Sequence, residues 1–239
     1  MQVKSNKFVK KVTKKMNKAQ IKKYYENTKD FSIRLRDNVQ SFFDDFGGKL
    51  AEAGISANVM SVIGFIIGLL AINFISLQMY VTGLLCVIIN RVFDGLDGAV
   101  ARKTKVTDFG VFLDTVLDFI FYGGVIFAFA LAKPENNAVA ASFMLFGFMA
   151  SACALLAYGV IASKKNSDVN LLNKSPLYLG GMTQWSETLV AVVLMCVIPS
   201  AFMVLAIFFG IISLVKAMTI VVAAYYNFVI VDSKKGKNA

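Results

Sequence analysis

The sequence predicts an all-α integral membrane protein, a bundle of six transmembrane helices preceded by an N-terminal cytoplasmic amphipathic helix. Its 239 residues are 57% hydrophobic and have a mean hydropathy of +0.64, above the usual range of soluble domains. Only three prolines interrupt the chain, and long apolar runs dominate from residue 58 onward. Such runs cross a bilayer as helices, because lipid cannot satisfy open backbone hydrogen-bonding groups.

The N-terminal part of the chain is a distinct basic segment. Residues 1–50 contain just over half of the 25 Lys and Arg residues but only a third of the 15 Asp and Glu residues. Residues 1–30 are therefore predicted to bind an anionic membrane surface, in preference to nucleic acid. Residues 31–53 are predicted to form the amphipathic helix, which either lies on the membrane or packs on the body as a lid. Its apolar face consists of Phe31, Leu35, Val39, Phe42, Phe43, Phe46 and Leu50.

Six apolar runs predict a transmembrane domain over residues 54–231, followed by a basic C-terminal tail, 232–239. The predicted spans are 56–78, 81–102, 110–132, 138–162, 186–199 and 201–230. The fifth is short for a bilayer, and Pro199 either separates it from the sixth or kinks one long helix. Most Lys and Arg residues lie in the termini and in the loops of the same side, so both termini are predicted to be cytoplasmic. The expected membrane is a bacterial inner membrane.

Histidine is absent, and the three cysteines, Cys86, Cys153 and Cys196, all lie inside apolar runs. The absence of histidine excludes His-based acid–base catalysis and His metal ligands, so a protein base has to be a carboxylate or a rarer group. The positions of the cysteines indicate neither a disulfide framework nor a thiolate metal site.

Four aspartates lie inside the second and third predicted spans, where ionisable side chains are costly and therefore functional candidates. Asp94 and Asp97 are three residues apart on one helix face, and Asp114 and Asp118 are four apart on a face of the next helix. The short loop between the helices allows the two faces to oppose each other. Carboxylates gathered in an apolar place need protons or cations, and oxygen ligands alone favour Mg²⁺, Mn²⁺ or Ca²⁺, with room for two ions.

Small residues surround the acids: Gly95, Gly98, Ala99 and Ala101. They leave space either for a flat ligand or for a closely packed helix, and the sequence pattern leaves both interpretations open.

These residues together resemble the signature of the CDP-alcohol phosphotransferases. The signature here reads Asp94-x-x-Asp97-Gly98-x-x-Ala101-Arg102-x7-Gly110-x3-Asp114-x3-Asp118. Seven residues separate the arginine from the following glycine, where the commonest form of the signature has eight. The start of the first span is also similar to the family's Pro-Asn-x-x-Thr element, with Ala57 in place of the proline. The likeness extends over about residues 30–230, with strong motifs only in 94–118.

The resemblance implies transfer of a phosphatidyl or other substituted phosphate group from a CDP-linked lipid, such as CDP-diacylglycerol, to an alcohol, with release of CMP. Asp94, Asp97 and Asp114 would hold a centre of two Mg²⁺ or Mn²⁺ ions. Asp118 would bind the second ion and act as the general base that deprotonates the acceptor hydroxyl. The matched positions that would contact the CDP-linked lipid are Asn58, Gly98, Ala101, Arg102, Thr107 and Gly110.

The second half of the chain should choose the acceptor. Lys216 lies inside the last predicted span, so it is expected to bind an acceptor phosphate or to pair with Glu187. Glycerol phosphate, inositol phosphate, serine and other alcohols all remain open. Gly64 and Gly68 are spaced for close helix packing and favour a homodimer.

Two other classes of protein fit the pattern less well. A divalent-cation channel or transporter would use the aspartates as a transit site, but it predicts polar residues through both halves of the membrane. The half of the membrane opposite the aspartates contains almost no charged or polar residues. A structural protein that recruits anionic partners through its basic N-terminus gives no reason for the acids.

Overall fold

The structure is a computed structural model that describes residues 42–164 and 184–231. All regular secondary structure in these two ranges is helical, which confirms the predicted all-α class. A 3₁₀ turn, Pro199–Ala201, precedes the last α-helix, and a π-helical segment, Tyr226–Val231, continues it. The α-helices are α1 (42–52), α2 (Ala57–Ser76), α3 (Tyr80–Lys103), α4 (Asp108–Ala132), α5 (Pro134–Lys164), α6 (Gln184–Val197) and α7 (Phe202–Tyr225).

Within the described ranges, four segments are long and apolar enough to cross a membrane, judged by length and composition: α2, α4, α5 and Pro199–Ile230. α3 has 24 residues, but the charges in its second half lower its apolar character. α6 has 14 residues, and at 1.5 Å per residue it is shorter than the roughly 30 Å hydrocarbon core of a bilayer. Several apolar spans are therefore confirmed, while the count of six stays a prediction.

Pro199 separates α6 from the next helix and does not kink one long helix. α6 ends at Val197, and Ile198 has φ −126° and ψ 71°, outside the helical region. A residue before proline is pushed away from the α conformation, because the proline ring collides with its backbone. Proline is tolerated at the start of the following turn, where its missing N–H would have no helical partner.

The structure divides into two compact units, with the boundary inside α3. The described part of the first unit comprises residues 42–57 and 95–106. Here α1 packs on the second half of α3, where a Cβ on Gly47 would lie 2.7 Å from the Cβ of Ala99. The missing side chain therefore lets the two helix backbones approach closely.

The predicted apolar face of the amphipathic helix is partly described. Phe43 packs against Gly95, where an added Cβ would lie 2.9 Å from its ring. Phe42 and Phe46 are 65% and 48% exposed, and their rings stack with centroids 6.4 Å apart. Residues 1–41, which include Phe31, Leu35 and Val39 of the predicted face, lie outside the described residues.

The second unit comprises residues 58–94, 107–164 and 184–231 in its described part. Its core takes buried apolar side chains from each of α2 to α7, and the stacked rings of Phe129 and Phe202 within it have centroids 4.8 Å apart. A Cβ on Gly147 of α5 would lie 2.5 Å from the carbonyl oxygen of Gly210 in α7. These two helices therefore cross backbone to backbone.

The glycine pair of α2, Gly64 and Gly68, packs against side chains of the same chain. A Cβ on Gly64 would lie 2.9 Å from the Cβ of Phe93, and one on Gly68 would lie 2.7 Å from the ring of Phe121. Both glycines are buried. The spacing therefore serves the packing of α2 on α3 and α4, and it gives no support to the predicted homodimer.

Candidate active site

Three of the four predicted metal ligands come together. Asp94 and Asp97 are one helical turn apart in α3, and Asp114 lies near the start of α4. One carboxylate oxygen of each lies within 4.8 Å of the other two. Asp97 is buried and the other two are half-buried. Carboxylates this close repel one another unless a proton or a cation compensates them, and their oxygens suit a hard divalent ion. The cluster is therefore a possible metal site.

The fourth aspartate, Asp118, lies one turn further along α4 and is not part of that group. Its Oδ1 accepts a hydrogen bond of 2.7 Å from Nη2 of Arg91 in α3. Both side chains are largely buried, with 10% of Asp118 and 14% of Arg91 exposed. Removing the arginine would leave the charge of Asp118 uncompensated in the interior, which is strongly destabilising.

The guanidinium of Arg91 is held by further contacts. Oδ1 of Asn90 accepts from its Nε at 2.9 Å and from its Nη2 at 2.7 Å. Asn90 is only 3% exposed and donates from Nδ2 to the carbonyl oxygen of Gly64 at 2.8 Å. On the other side, Nη1 of Arg91 donates to the hydroxyl of Tyr122 at 3.3 Å and lies 3.4 Å from Oδ2 of Asp94.

Aromatic rings complete the surroundings of Arg91. Its guanidinium carbon lies 4.9 Å from the ring centroid of Phe121 and 5.0 Å from that of Tyr122. A cation over an aromatic face is attracted by the ring's negative quadrupole, more strongly where water is excluded. The side chain is thus placed by hydrogen bonds at its edges and by rings against its plane.

Three of the predicted nucleotide residues meet at the start of α4. Thr107 is the N-cap, and its Oγ1 accepts from the backbone N–H of Gly110 at 3.0 Å. A Cβ on Gly110 would lie 3.0 Å from that Oγ1 and 3.1 Å from Oδ1 of Asn58 in α2. A helix N-terminus carries open N–H groups and a positive dipole end, which favour an anion such as a phosphate.

The remaining nucleotide candidates lie at the end of α3. Arg102 donates from Nη2 to Oδ1 of Asp44 in α1 at 2.8 Å. The two side chains are 46% and 30% exposed, so water screens the pair and it contributes little stability. A Cβ on Gly98 would lie 3.3 Å from Nη1 of Arg102, and Ala101 is half-buried. The pairing of Arg102 with α1 was not predicted.

Lys216 lines a small pocket in the second unit, formed by α5, α6 and α7. One wall is Phe148, whose ring centroid lies 5.7 Å from that of Phe119 and 6.5 Å from that of Tyr122. Phe148 thus lies both in the pocket wall and beside Tyr122, the residue whose hydroxyl contacts Arg91. Glu187 belongs to α6, but its side chain is outside the described part of the structure, so its pairing with Lys216 stays a prediction. The pocket is lined by Met144, Phe148, Ser151, Thr188, Phe209, Ile212, Ser213 and Lys216.

The sequence patterns assigned no role to Asn90, Arg91 or Tyr122. The signal for Arg91 was present, because an arginine inside an apolar span needs a partner and this one lies three residues before Asp94. Asn90 and Tyr122 carry no comparable signal, since neither side chain is charged.

Comparison with known proteins supports the resemblance. A family model described as CDP-alcohol phosphatidyltransferase matches residues 55–222. The Inner membrane protein YnjF of Escherichia coli (strain K12) is 41% identical over 177 residues, which cover 74% of this chain and 86% of the relative.

Two archaeal relatives are similar over a shorter stretch. The archaetidylinositol phosphate synthase of Pyrococcus horikoshii is 36% identical over 99 residues, 41% of this chain and 53% of the relative. The CDP-diacylglycerol–serine O-phosphatidyltransferase of Methanocaldococcus jannaschii is 31% identical over 101 residues, 38% of this chain and 50% of the relative. The chain thus matches about half the length of each.

The family model covers most of the chain and includes the aspartates that converge in the structure. The chain therefore belongs to the CDP-alcohol phosphatidyltransferase family, whose members are transferases.

Proposed function

We propose that this protein transfers a phosphatidyl group from a CDP-linked lipid, such as CDP-diacylglycerol, to an alcohol in a metal-dependent reaction that releases CMP. Membership of the family supports the class of reaction. The observation that carries the proposal is the convergence of Asp94, Asp97 and Asp114 within 4.8 Å. A cation bound by these acids would compensate their mutual repulsion and would also bind the diphosphate of the substrate.

Members of this family depend on metal, and the three clustered aspartates supply the oxygen donors that Mg²⁺ or Mn²⁺ prefers. We assign Asp94, Asp97 and Asp114 to the metal centre, with Asp118 as a further ligand if two ions are bound. Bound metal would neutralise the charge that the diphosphate carries and develops during the displacement.

Asp118 is proposed as the general base. It would take the proton of the acceptor hydroxyl while the alcohol oxygen forms a bond to the β-phosphorus. The bond between that phosphorus and the oxygen of CMP then breaks, and CMP leaves with the electron pair. With no histidine in the chain, a carboxylate inside the site is the natural base.

The CDP-linked lipid is proposed to bind through residues of α2, α3 and α4. The N-terminus of α4 offers open N–H groups to a phosphate, beside Thr107. Arg102 would exchange its contact with Asp44, which water screens, for a charge-assisted contact with the diphosphate. The proposed contacts are Asn58, Gly98, Ala101, Arg102, Thr107 and Gly110.

The acceptor alcohol is proposed to bind in the pocket that Lys216 lines. A cation among the hydroxyls of Ser151, Thr188 and Ser213 suits an alcohol with an anionic group. The names of the two archaeal relatives specify different products, one an inositol phosphate lipid and one a serine lipid. These names do not identify one acceptor. Because Lys216 is a cation, alcohols that carry a phosphate are the first to test, and Glu187 remains a proposed neighbour of the acceptor.

In the membrane, we propose that α2–α7 form six spans with both termini in the cytoplasm. The name of the Escherichia coli relative supports an inner membrane. Residues 1–30 would contact anionic lipid, and salt-sensitive binding to anionic liposomes tests this contact. A homodimer stays a prediction that the mass of the detergent-solubilised protein tests.

The decisive experiment measures CMP release by the purified protein from CDP-diacylglycerol. The acceptor panel contains glycerol phosphate, inositol phosphate, serine and further alcohols. We expect release that requires one alcohol, stops with a chelator, and returns with Mg²⁺ or Mn²⁺. The matched control is Asp97→Asn, which removes one ligand charge and should stay inactive after metal is restored. Absence of metal-dependent CMP release across the whole panel would contradict the proposal.

A further inference from the structure

We propose that Arg91 is a positioning residue for the reaction. Its guanidinium binds Oδ1 of Asp118 and thereby orients the carboxylate, so that the other oxygen takes the proton of the acceptor hydroxyl. This inference rests on the proposed function, in which Asp118 is the base. Neither the family signature nor the spacing of the acids includes Arg91.

The geometry of the contact supports orientation of Asp118. The Nη2–Oδ1 distance is 2.7 Å, and both side chains are largely buried, so few other rotamers are open to either. A charge-assisted hydrogen bond in such surroundings is shorter and stronger than one between neutral groups. The carboxylate of Asp118 is therefore held in one direction.

Arg91 is itself fixed from the opposite side. Asn90 accepts hydrogen bonds from both Nε and Nη2, and its own amide is anchored at 2.8 Å on the carbonyl oxygen of Gly64. This chain of contacts connects the backbone of α2 through α3 to the aspartate in α4. The orientation of the base thus follows from the packing of three helices.

A purely structural role for Arg91 makes a different prediction. Compensation of the buried charge of Asp118 requires only a cation, which lysine also provides. Orientation requires the planar fork, because Nη2 contacts Asp118 while Nε and Nη2 share Oδ1 of Asn90. Lysine presents a single rotatable ammonium and cannot reproduce that geometry.

The first test compares Arg91→Lys with wild type under saturating metal. We expect kcat to fall by about 30-fold or more, while KM for CDP-diacylglycerol and the midpoint of thermal unfolding in detergent stay near those of wild type. Arg91→Gln should lose at least as much kcat. If Arg91→Gln fails to fold, the result for Arg91→Lys is sufficient for this test. Lys133→Gln, a cation at the far end of α4, is the control and should leave kcat unchanged.

The second test is a double-mutant cycle with Asp118→Glu, which keeps a carboxylate but moves it by one methylene. If Arg91 acts through position 118, Arg91→Lys in the Asp118→Glu background should lower kcat by less than about 3-fold. If the double variant instead shows the product of the two single-variant losses in kcat, the inference is overturned. A wild-type kcat for Arg91→Lys would also overturn it.

Failure of the proposed function has a different signature. A wild-type protein that releases no CMP with any alcohol overturns both statements, because Asp118 then has no hydroxyl to deprotonate. An active wild type with an equally active Arg91→Lys variant overturns only the inference about Arg91.

Discussion

Two of the polar regions in the described part of the chain, the acidic region and the pocket around Lys216, are built in opposite ways. The acidic region takes its chemical groups from one short stretch of chain, Arg91 to Asp118, on two consecutive helices. The pocket around Lys216 collects one or two polar side chains from each of α5, α6 and α7, which lie far apart in sequence. The first region is dense in charge, whereas the second combines one cation with hydroxyls and rings.

This difference explains why the sequence indicates the class of reaction but not the acceptor alcohol. Residues three or four apart on a helix share a face whatever the rest of the fold does, so the acids can be placed from their spacing. The pocket exists only because α5, α6 and α7 pack together. The residues proposed for the transfer chemistry are thus close in sequence, whereas those proposed for the acceptor are brought together by tertiary packing.

The largest effect is expected for Asp118→Asn, which should stop turnover without preventing binding of the CDP-linked lipid. Asp118→Asn keeps the shape of the side chain but removes the proton acceptor, so kcat should fall by about 10²–10⁴-fold. Binding of CDP-diacylglycerol should survive, as measured by equilibrium binding of radiolabelled lipid to protein in detergent. Normal turnover in this variant would remove Asp118 as the base and weaken the assignment of chemistry to the acidic region.

A smaller effect is expected in the other region. Lys216→Met keeps the length of the side chain but removes its charge, so KM for an anionic acceptor should rise by about 10–100-fold, the value of a charge-assisted hydrogen bond. KM for CDP-diacylglycerol should not change. Steady-state kinetics with each substrate varied in turn measure both values. A rise confined to the CDP-lipid would show that the division between the two regions is wrong.

The smallest effect concerns a hydroxyl of the same pocket. Thr188 is 8% exposed, and Thr188→Val replaces its hydroxyl with a methyl group of similar size. Loss of one neutral hydrogen bond to the acceptor should raise its KM by about 2–10-fold. The same kinetic series measures it, and the midpoint of thermal unfolding serves as the control for packing. An unchanged acceptor KM would place the alcohol outside this wall of the pocket.

The helices themselves were predictable to within a few residues, except at one end. The fourth span was predicted from residue 138, whereas α5 begins at Pro134. Its first turn carries Glu135, Asn136 and Asn137, whose polarity is typical of a loop. A first helical turn accommodates polar residues, because its backbone N–H groups lack helical partners. Asn137 is also buried and donates to the carbonyl oxygen of Phe129 at 2.9 Å, a contact that hydropathy cannot predict.

Within the site, the predicted convergence of Asp94, Asp97 and Asp114 agrees with the structure, and the surroundings of Asp118 do not follow from spacing. Periodicity places Asp118 on the face of Asp114, but it cannot show that Arg91 of the preceding helix lies 2.7 Å away. The glycines of α2 illustrate the same limit. Their spacing indicates close packing, but only the fold shows that the partners are Phe93 and Phe121 of the same chain.

The amino-acid sequence alone determined the helical membrane class, the paired acids and the family signature, because composition and helical period act over short distances along the chain. The tertiary structure decided which cation meets Asp118, that Arg102 contacts α1, and which three helices form the pocket of Lys216. These contacts depend on the crossing of helices, which is set by the fit of many side chains at once.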